Sequence, residues 1–123
     1  MSLRLTAVLI ATTFFAACGG NSSSPSTTPS PAPSGSTTVT ISSGASSQTT
    51  TAFGADPLMI PAGTTISWLN GDNTTHTATA DASQWNSGDI PPGGRFNFTF
   101  ASPGRFDYHC QIHPNMIGTI VVQ

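Results

Sequence analysis

From residue 39 onward, apolar residues recur at every second position in short runs, and each run is closed by Gly, Pro, Asn or Asp. That period belongs to half-buried strands, and no 3.6-residue period competes with it. Val39-Thr40-Ile41 predicts a first strand and Leu58-Met59-Ile60 a second, stopped by the Pro61-Ala62-Gly63 turn, with Met59 expected as core filler. Thr64 to Asn70 sets Ile66 and Trp68 on one face. After the Gly71-Asp72-Asn73 turn, a run over His76 to Ala80 puts His76, Ala78 and Ala80 on a shared face. Arg95 to Phe100 directs Phe96, Phe98 and Phe100 to the core. Arg105 to Cys110 directs Phe106, Tyr108 and Cys110 inward and Arg105, Asp107 and His109 outward, and Gly118 to Val122 is the last strand. Trp68 and Trp85 read as packing residues. The pattern as a whole predicts an all-β sandwich of about seven or eight strands.

Upstream the alternation disappears. Arg4 is followed by the acid-free apolar run Leu5 to Ala17, which falls short of the ~20 residues of a membrane-spanning helix and reads as a targeting leader. It ends at Phe15-Ala16-Ala17-Cys18-Gly19, which resembles the lipobox of bacterial lipoproteins with Phe15 where Leu is usual. The resemblance implies acylation of Cys18; the alternative is ordinary cleavage after Ala17 with a free Cys18 thiol. Apart from Asn21 and Ala32, residues 19–38 are Ser, Thr, Pro and Gly, so they are expected to form a disordered tether that reaches at most about 60 Å. The expected division is a leader over 1–17, a lipidated cysteine plus linker over 18–38, and one domain over 39–123. The chain is therefore expected to be exported and lipid-anchored to a bacterial membrane, facing the periplasm or the cell exterior.

Charge narrows the function. Only 7% of residues are charged, with three Arg, five Asp and neither Lys nor Glu. Nucleic-acid binding rests on clustered cations, which are missing here. The five Asp are dispersed and form no calcium loop. After export segments are set aside, the chain is too short for a large enzyme core, no catalytic acid pair is evident, and it is read as a non-enzyme and a monomer.

With Cys18 assigned to the anchor, Cys110 is the only thiol of the domain, and it opens the run Cys110-Gln111-Ile112-His113-Pro114-Asn115-Met116. Thiolate, imidazole and thioether together suit copper, which alternates between a soft monovalent and a harder divalent state and accepts a weak axial Met. A second imidazole must come from elsewhere, and the chain has only His76, His109 and His113. His109 faces away from Cys110 on an extended strand, which leaves His76 as the candidate and His109 as structural or solvated. Zinc is the rival metal, but its structural sites use four Cys or His ligands and Met is not among them. A dinuclear copper centre needs a second loop thiolate. Nucleophilic catalysis by Cys110 with His113 is disfavoured by the inward-facing thiol.

The stretch from Phe106 to Met116, followed by Gly118-Thr119-Ile120-Val121-Val122, resembles the ligand loop of the cupredoxins, nearest to the amicyanin and plastocyanin group and amicyanin-like in its short Cys-x2-His-x2-Met spacing. Ile60 to Asn70, with His76-Thr77, similarly resembles the segment leading to the first His ligand in that family. The resemblance covers about Val39 to Gln123. It implies a Greek-key β-sandwich holding one type 1 copper, with His76, Cys110 and His113 equatorial and Met116 axial, and with Thr77 and Asn70 supporting them. It implies a one-electron carrier that works between a donor and an acceptor protein such as a cytochrome, another copper protein or a dehydrogenase. His113 is then the surface exit for electrons. The alternative function is a copper store or delivery lipoprotein. Two departures stand out: Thr77 replaces the usual Asn after the first His, and Gln111-Ile112 occupies positions where the family often has a residue followed by Pro.

Overall fold

Alternation is realised as seven strands: β1 (Ser36–Ile41), β2 (Leu58–Ile60), β3 (Thr64–Asn70), β4 (Thr79–Ala80), β5 (Arg95–Phe100), β6 (Gly104–His109) and β7 (Ile117–Val122). The only helical element among the described residues is one 3-10 turn, Ala45–Ser47. The computed structural model describes residues 35–123. The proposed leader, the acylation site at Cys18 and the linker up to residue 34 lie outside the described residues.

The strands form two sheets, β1-β3-β5 and β2-β7-β6-β4. β1 runs parallel to β3, and β2 parallel to β7, while β3/β5, β4/β6 and β6/β7 are antiparallel. In β3 the residues Thr64, Ile66, Trp68 and Asn70 are all buried and the residues between them are half-buried, as a strand packed on one face requires. Between the sheets Trp68 meets the rings of Trp85, Phe96, Phe100 and Tyr108 at centroid distances of 5.8, 5.7, 6.4 and 5.6 Å. These tilted and edge-on pairs lie in the range where aromatic quadrupoles attract. Phe96 and Phe98 are half-buried against this cluster and Phe100 is fully buried.

Three expectations need correction. β1 begins at Ser36 rather than Val39, because Ser36, Thr37 and Thr38 pair with Thr65, Ile66 and Ser67 of β3; a Ser/Thr run becomes a strand when a neighbour supplies the hydrogen bonds. Met59 is 49% exposed and not core filler, since β2 is an edge strand and its middle residue points outward. The run from His76 to Ala80 is buried at every position, and only Thr79–Ala80 pairs with β6. His76 instead forms an isolated bridge to Ile90. With neighbours on both sides, burial there does not alternate.

Tyr108 fixes the position of β6, the strand that leads into Cys110. Its ring lies over Gly118 of β7 so closely that a Cβ at 118 would sit 2.6 Å from Tyr108 Cζ and 2.8 Å from its Cε1 and hydroxyl oxygen. Retreat is blocked by Phe53 and Trp68, at 4.7 and 5.6 Å between centroids. Burial also pushes the Tyr108 phenol well above its ordinary pKa, which keeps it neutral. Gly118→Ala is therefore expected to destabilise the domain by about 1–3 kcal/mol, the range for overpacking. Chemical denaturation would check this, and an unchanged midpoint would refute the packing account.

Candidate metal centre

At one pole of the sandwich, β6 ends in the seven-residue segment predicted to hold ligands. The loop closes on itself: the Cys110 N–H donates to the Met116 carbonyl at 3.0 Å, and the Met116 N–H donates to the His113 carbonyl at 2.9 Å. Cys110 and Met116 are both fully buried. His113 is half-buried, between exposed Ile112 and Pro114. The short ring of backbone bonds thus turns the thiol inward and leaves the imidazole near the surface.

The opposing wall comes from residues 70–77. The His76 backbone is held by reciprocal bonds with Ile90, N–H to carbonyl at 3.2 and 2.8 Å. Thr77 joins the two walls twice. Its N–H donates to Cys110 Sγ at 3.3 Å, and its Oγ1 accepts the Gln111 N–H at 2.8 Å. The Thr77 hydroxyl thereby ties the ligand loop to the His76 segment. Donation from the Thr77 amide occupies one face of the sulfur and so orients the lone pairs that remain.

Three donor atoms converge in this arrangement. Cys110 Sγ lies 3.8 Å from His76 Nδ1 and 3.8 Å from His113 Nδ1, and the two Nδ1 atoms are 3.2 Å apart. The point equidistant from all three lies about 2.1 Å from each, close to the bond lengths of a first-row transition metal to imidazole nitrogen and thiolate sulfur. Three lone pairs aimed at one buried point repel unless a cation or a proton lies among them. The donor set therefore fits a metal ion. Among the described residues, these three form the one His, Cys, Asp or Glu cluster with its donor atoms within 4.8 Å of one another.

Asp72 went unnoticed in the sequence. It is 6% exposed, and its Oδ2 lies 2.9 Å from His76 Nε2. Its Oδ1 accepts the Gly44 N–H at 3.2 Å and the Asn73 N–H at 2.8 Å. The hydrogen bond with His76, followed by those from the Gly44 and Asn73 amides, holds the Asp72 carboxyl below the usual carboxylate range. Asn70 acts one step further out. Its Oδ1 accepts the Asp72 N–H at 2.9 Å, while its Nδ2 donates to the Thr74 and Ile90 carbonyls, each at 2.8 Å. Asn70 therefore shapes the turn that carries Asp72 and His76 rather than touching the donor atoms through its own hydrogen bonds. The available signal in the sequence was the four-residue spacing from Asp72 to His76, but a Gly-Asp-Asn turn ordinarily reads as solvent-exposed.

His109 lies on the other side of β6, where its Nδ1 meets Asp81 Oδ1 at 2.6 Å. It stays outside the cluster, as strand parity predicts.

The family description "Cupredoxin-like domain" matches residues 6–122 of the chain. Among solved structures, a purple cupredoxin from Nitrosopumilus maritimus is 30% identical with a TM-score of 0.65, over 70% of this chain and 98% of that one. A Cu(I) form of an amicyanin variant is 22% identical with a TM-score of 0.61, over 72% of this chain and 82% of the variant. An oxidised amicyanin variant is 23% identical with a TM-score of 0.60, over 72% and 83% respectively.

Proposed function

Because the chain belongs to the cupredoxin-like family, we propose that it is an exported one-electron carrier whose cofactor is a single type 1 copper. His76, Cys110 and His113 would hold the ion, with the thioether of buried Met116 as a weaker fourth donor. The observation that carries this reading is the triangle of Sγ and two Nδ1 atoms with sides of 3.8, 3.8 and 3.2 Å. A thiolate with two imidazoles and a nearby Met suits copper in both oxidation states, whereas zinc gains nothing from a thioether.

Bound copper supplies a reversible Cu(I)/Cu(II) couple. The residues of this chain supply constancy of geometry. The Thr77 amide and the loop closure hold Cys110, and the Ile90 bridge and Asp72 hold His76. A donor set that does not rearrange keeps the cost of each electron transfer low. His113 is the route to partners. It is half-buried, and Ile112 beside it is 46% exposed, so a partner docking there removes water from an apolar rim around an imidazole attached to the centre. Small interfaces of this kind suit brief redox encounters with a donor and an acceptor protein. The acid-free run over residues 5–17 and the lipobox-like Cys18 support anchoring to a bacterial membrane by acyl chains, with the domain a monomer facing the periplasm or the cell exterior.

Loading the purified protein with copper tests the reading. The expected result is an intense visible absorption from thiolate-to-Cu(II) charge transfer and a fast, reversible one-electron wave. A colourless complex, or tighter binding of zinc than of copper, rejects type 1 copper. Strong copper binding with a slow or irreversible wave points instead to a copper store or delivery protein.

A further inference from the structure

We propose that Asp72 selects the ring tautomer of His76 that leaves Nδ1 free to bind the metal. This rests on the copper reading above for its purpose, though not for its geometry. An imidazole with one proton presents one donor and one acceptor, and the partner of one nitrogen decides the state of the other. Asp72 Oδ2 lies 2.9 Å from His76 Nε2, with both side chains almost wholly out of water, 3% and 0% exposed. A carboxylate accepts and does not donate, so it draws the ring proton to Nε2. Nδ1, on the opposite side of the ring, then turns a lone pair toward Cys110 Sγ and His113 Nδ1.

What makes Asp72 a selector is the way its two oxygens are divided. Oδ1 is occupied by the Gly44 and Asn73 amides, and Oδ2 alone faces His76. The Gly44 amide comes from 28 residues upstream, and Asn70 fixes the Asp72 backbone. The carboxyl group is therefore locked in rotation. Asn substituted here must keep its oxygen on the two amides, because an NH2 group cannot accept from them. Its NH2 then occupies the Oδ2 position and donates to Nε2. That reverses the requirement on the ring: Nε2 becomes the acceptor, and the proton moves to Nδ1, into the middle of the donor triangle. A nearly isosteric change that keeps the scaffold bonds is thus expected to switch the tautomer.

The test has a metal-free arm and a copper arm. In the metal-free protein, nitrogen-15 NMR of the His76 ring is expected to show the Nε2–H tautomer, and Asp72→Asn the Nδ1–H tautomer with an otherwise conserved amide spectrum. In the copper arm, Asp72→Asn is expected to weaken Cu(II) binding by about 10- to 100-fold, as when an outer-shell partner of a ligating His is lost. An Nδ1–H tautomer in the unmutated protein overturns the proposal without any variant, which keeps it testable if Asp72→Asn does not fold. A folded Asp72→Asn that retains Nε2–H also overturns it, as does a switched tautomer with unchanged copper affinity. If the unmutated protein binds no copper, the functional reading fails, whereas the metal-free arm still decides whether Asp72 sets the tautomer.

Discussion

Cys110→Ser is expected to abolish the intense visible band of the copper-loaded protein and to erase most of the stabilisation that copper provides. The band requires a sulfur lone pair as the donor orbital, and a serine hydroxyl offers none at a comparable energy. The metal-free fold should survive, because the new oxygen can still accept the Thr77 N–H that Sγ accepts at 3.3 Å. The cost of burying a hydroxyl there is about 1–3 kcal/mol. Copper-linked stability behaves differently. A ligand present at a thousand times its Kd stabilises the native state by about 4 kcal/mol, which for a domain of this size raises Tm by about 15–30 °C. Calorimetric scans of both proteins with and without copper should show that rise in the parent and only a small remnant in Cys110→Ser. A variant that keeps its colour, or keeps the full copper-dependent rise, would remove Cys110 from the centre.

The second large effect lies away from the metal. Trp68→Ala should cost about 3–5 kcal/mol, the range for truncating a buried aromatic residue, against a total stability of about 5–15 kcal/mol for a typical domain. Trp68 is fully buried and meets four other rings, so the cavity it leaves is walled by side chains that cannot all move inward. Trp68→Phe keeps an aromatic ring and removes only part of the volume, so it should cost clearly less than Trp68→Ala. Denaturant titration of the pair checks the ordering. Equal losses would mean that ring volume at this position does not govern stability.

What could be read from the chain divides along physical lines. The strands at Thr64–Asn70 and Arg95–Phe100 were legible because one face of each is more buried than the other, so composition alternates with structure. The segment from Cys110 to Met116 was legible because its donors come from one loop, where sequence distance limits spatial distance. His76 required elimination among three histidines and the family likeness, since its approach to Cys110 depends on how two sheets are stacked. Asp72 was not legible: one of the amides that hold its carboxylate belongs to Gly44, which lies 28 positions away in the chain. The exposure of Met59 was hidden for a related reason, as a three-residue apolar run does not reveal that its strand lies on a sheet edge. Ser36–Thr38 has the Ser/Thr-rich composition of the residues before it, and only pairing with β3 distinguishes it.

The parallel pairing of β1 with β3 also gives the domain a front and a back. Ser36 lies opposite Thr65, while Ile41 lies opposite Asn70, whose side chain organises the turn beneath His76. The chain therefore comes into the sandwich at the pole farthest from the donor triangle, roughly 20 Å away along the strand. The last residue shares that rear pole, since Gln123 bonds to Ile60 and Ala62. Under the proposed lipid anchor, the residues ahead of Ser36 would hold the domain by this rear pole and leave the face around His113 directed away from the membrane.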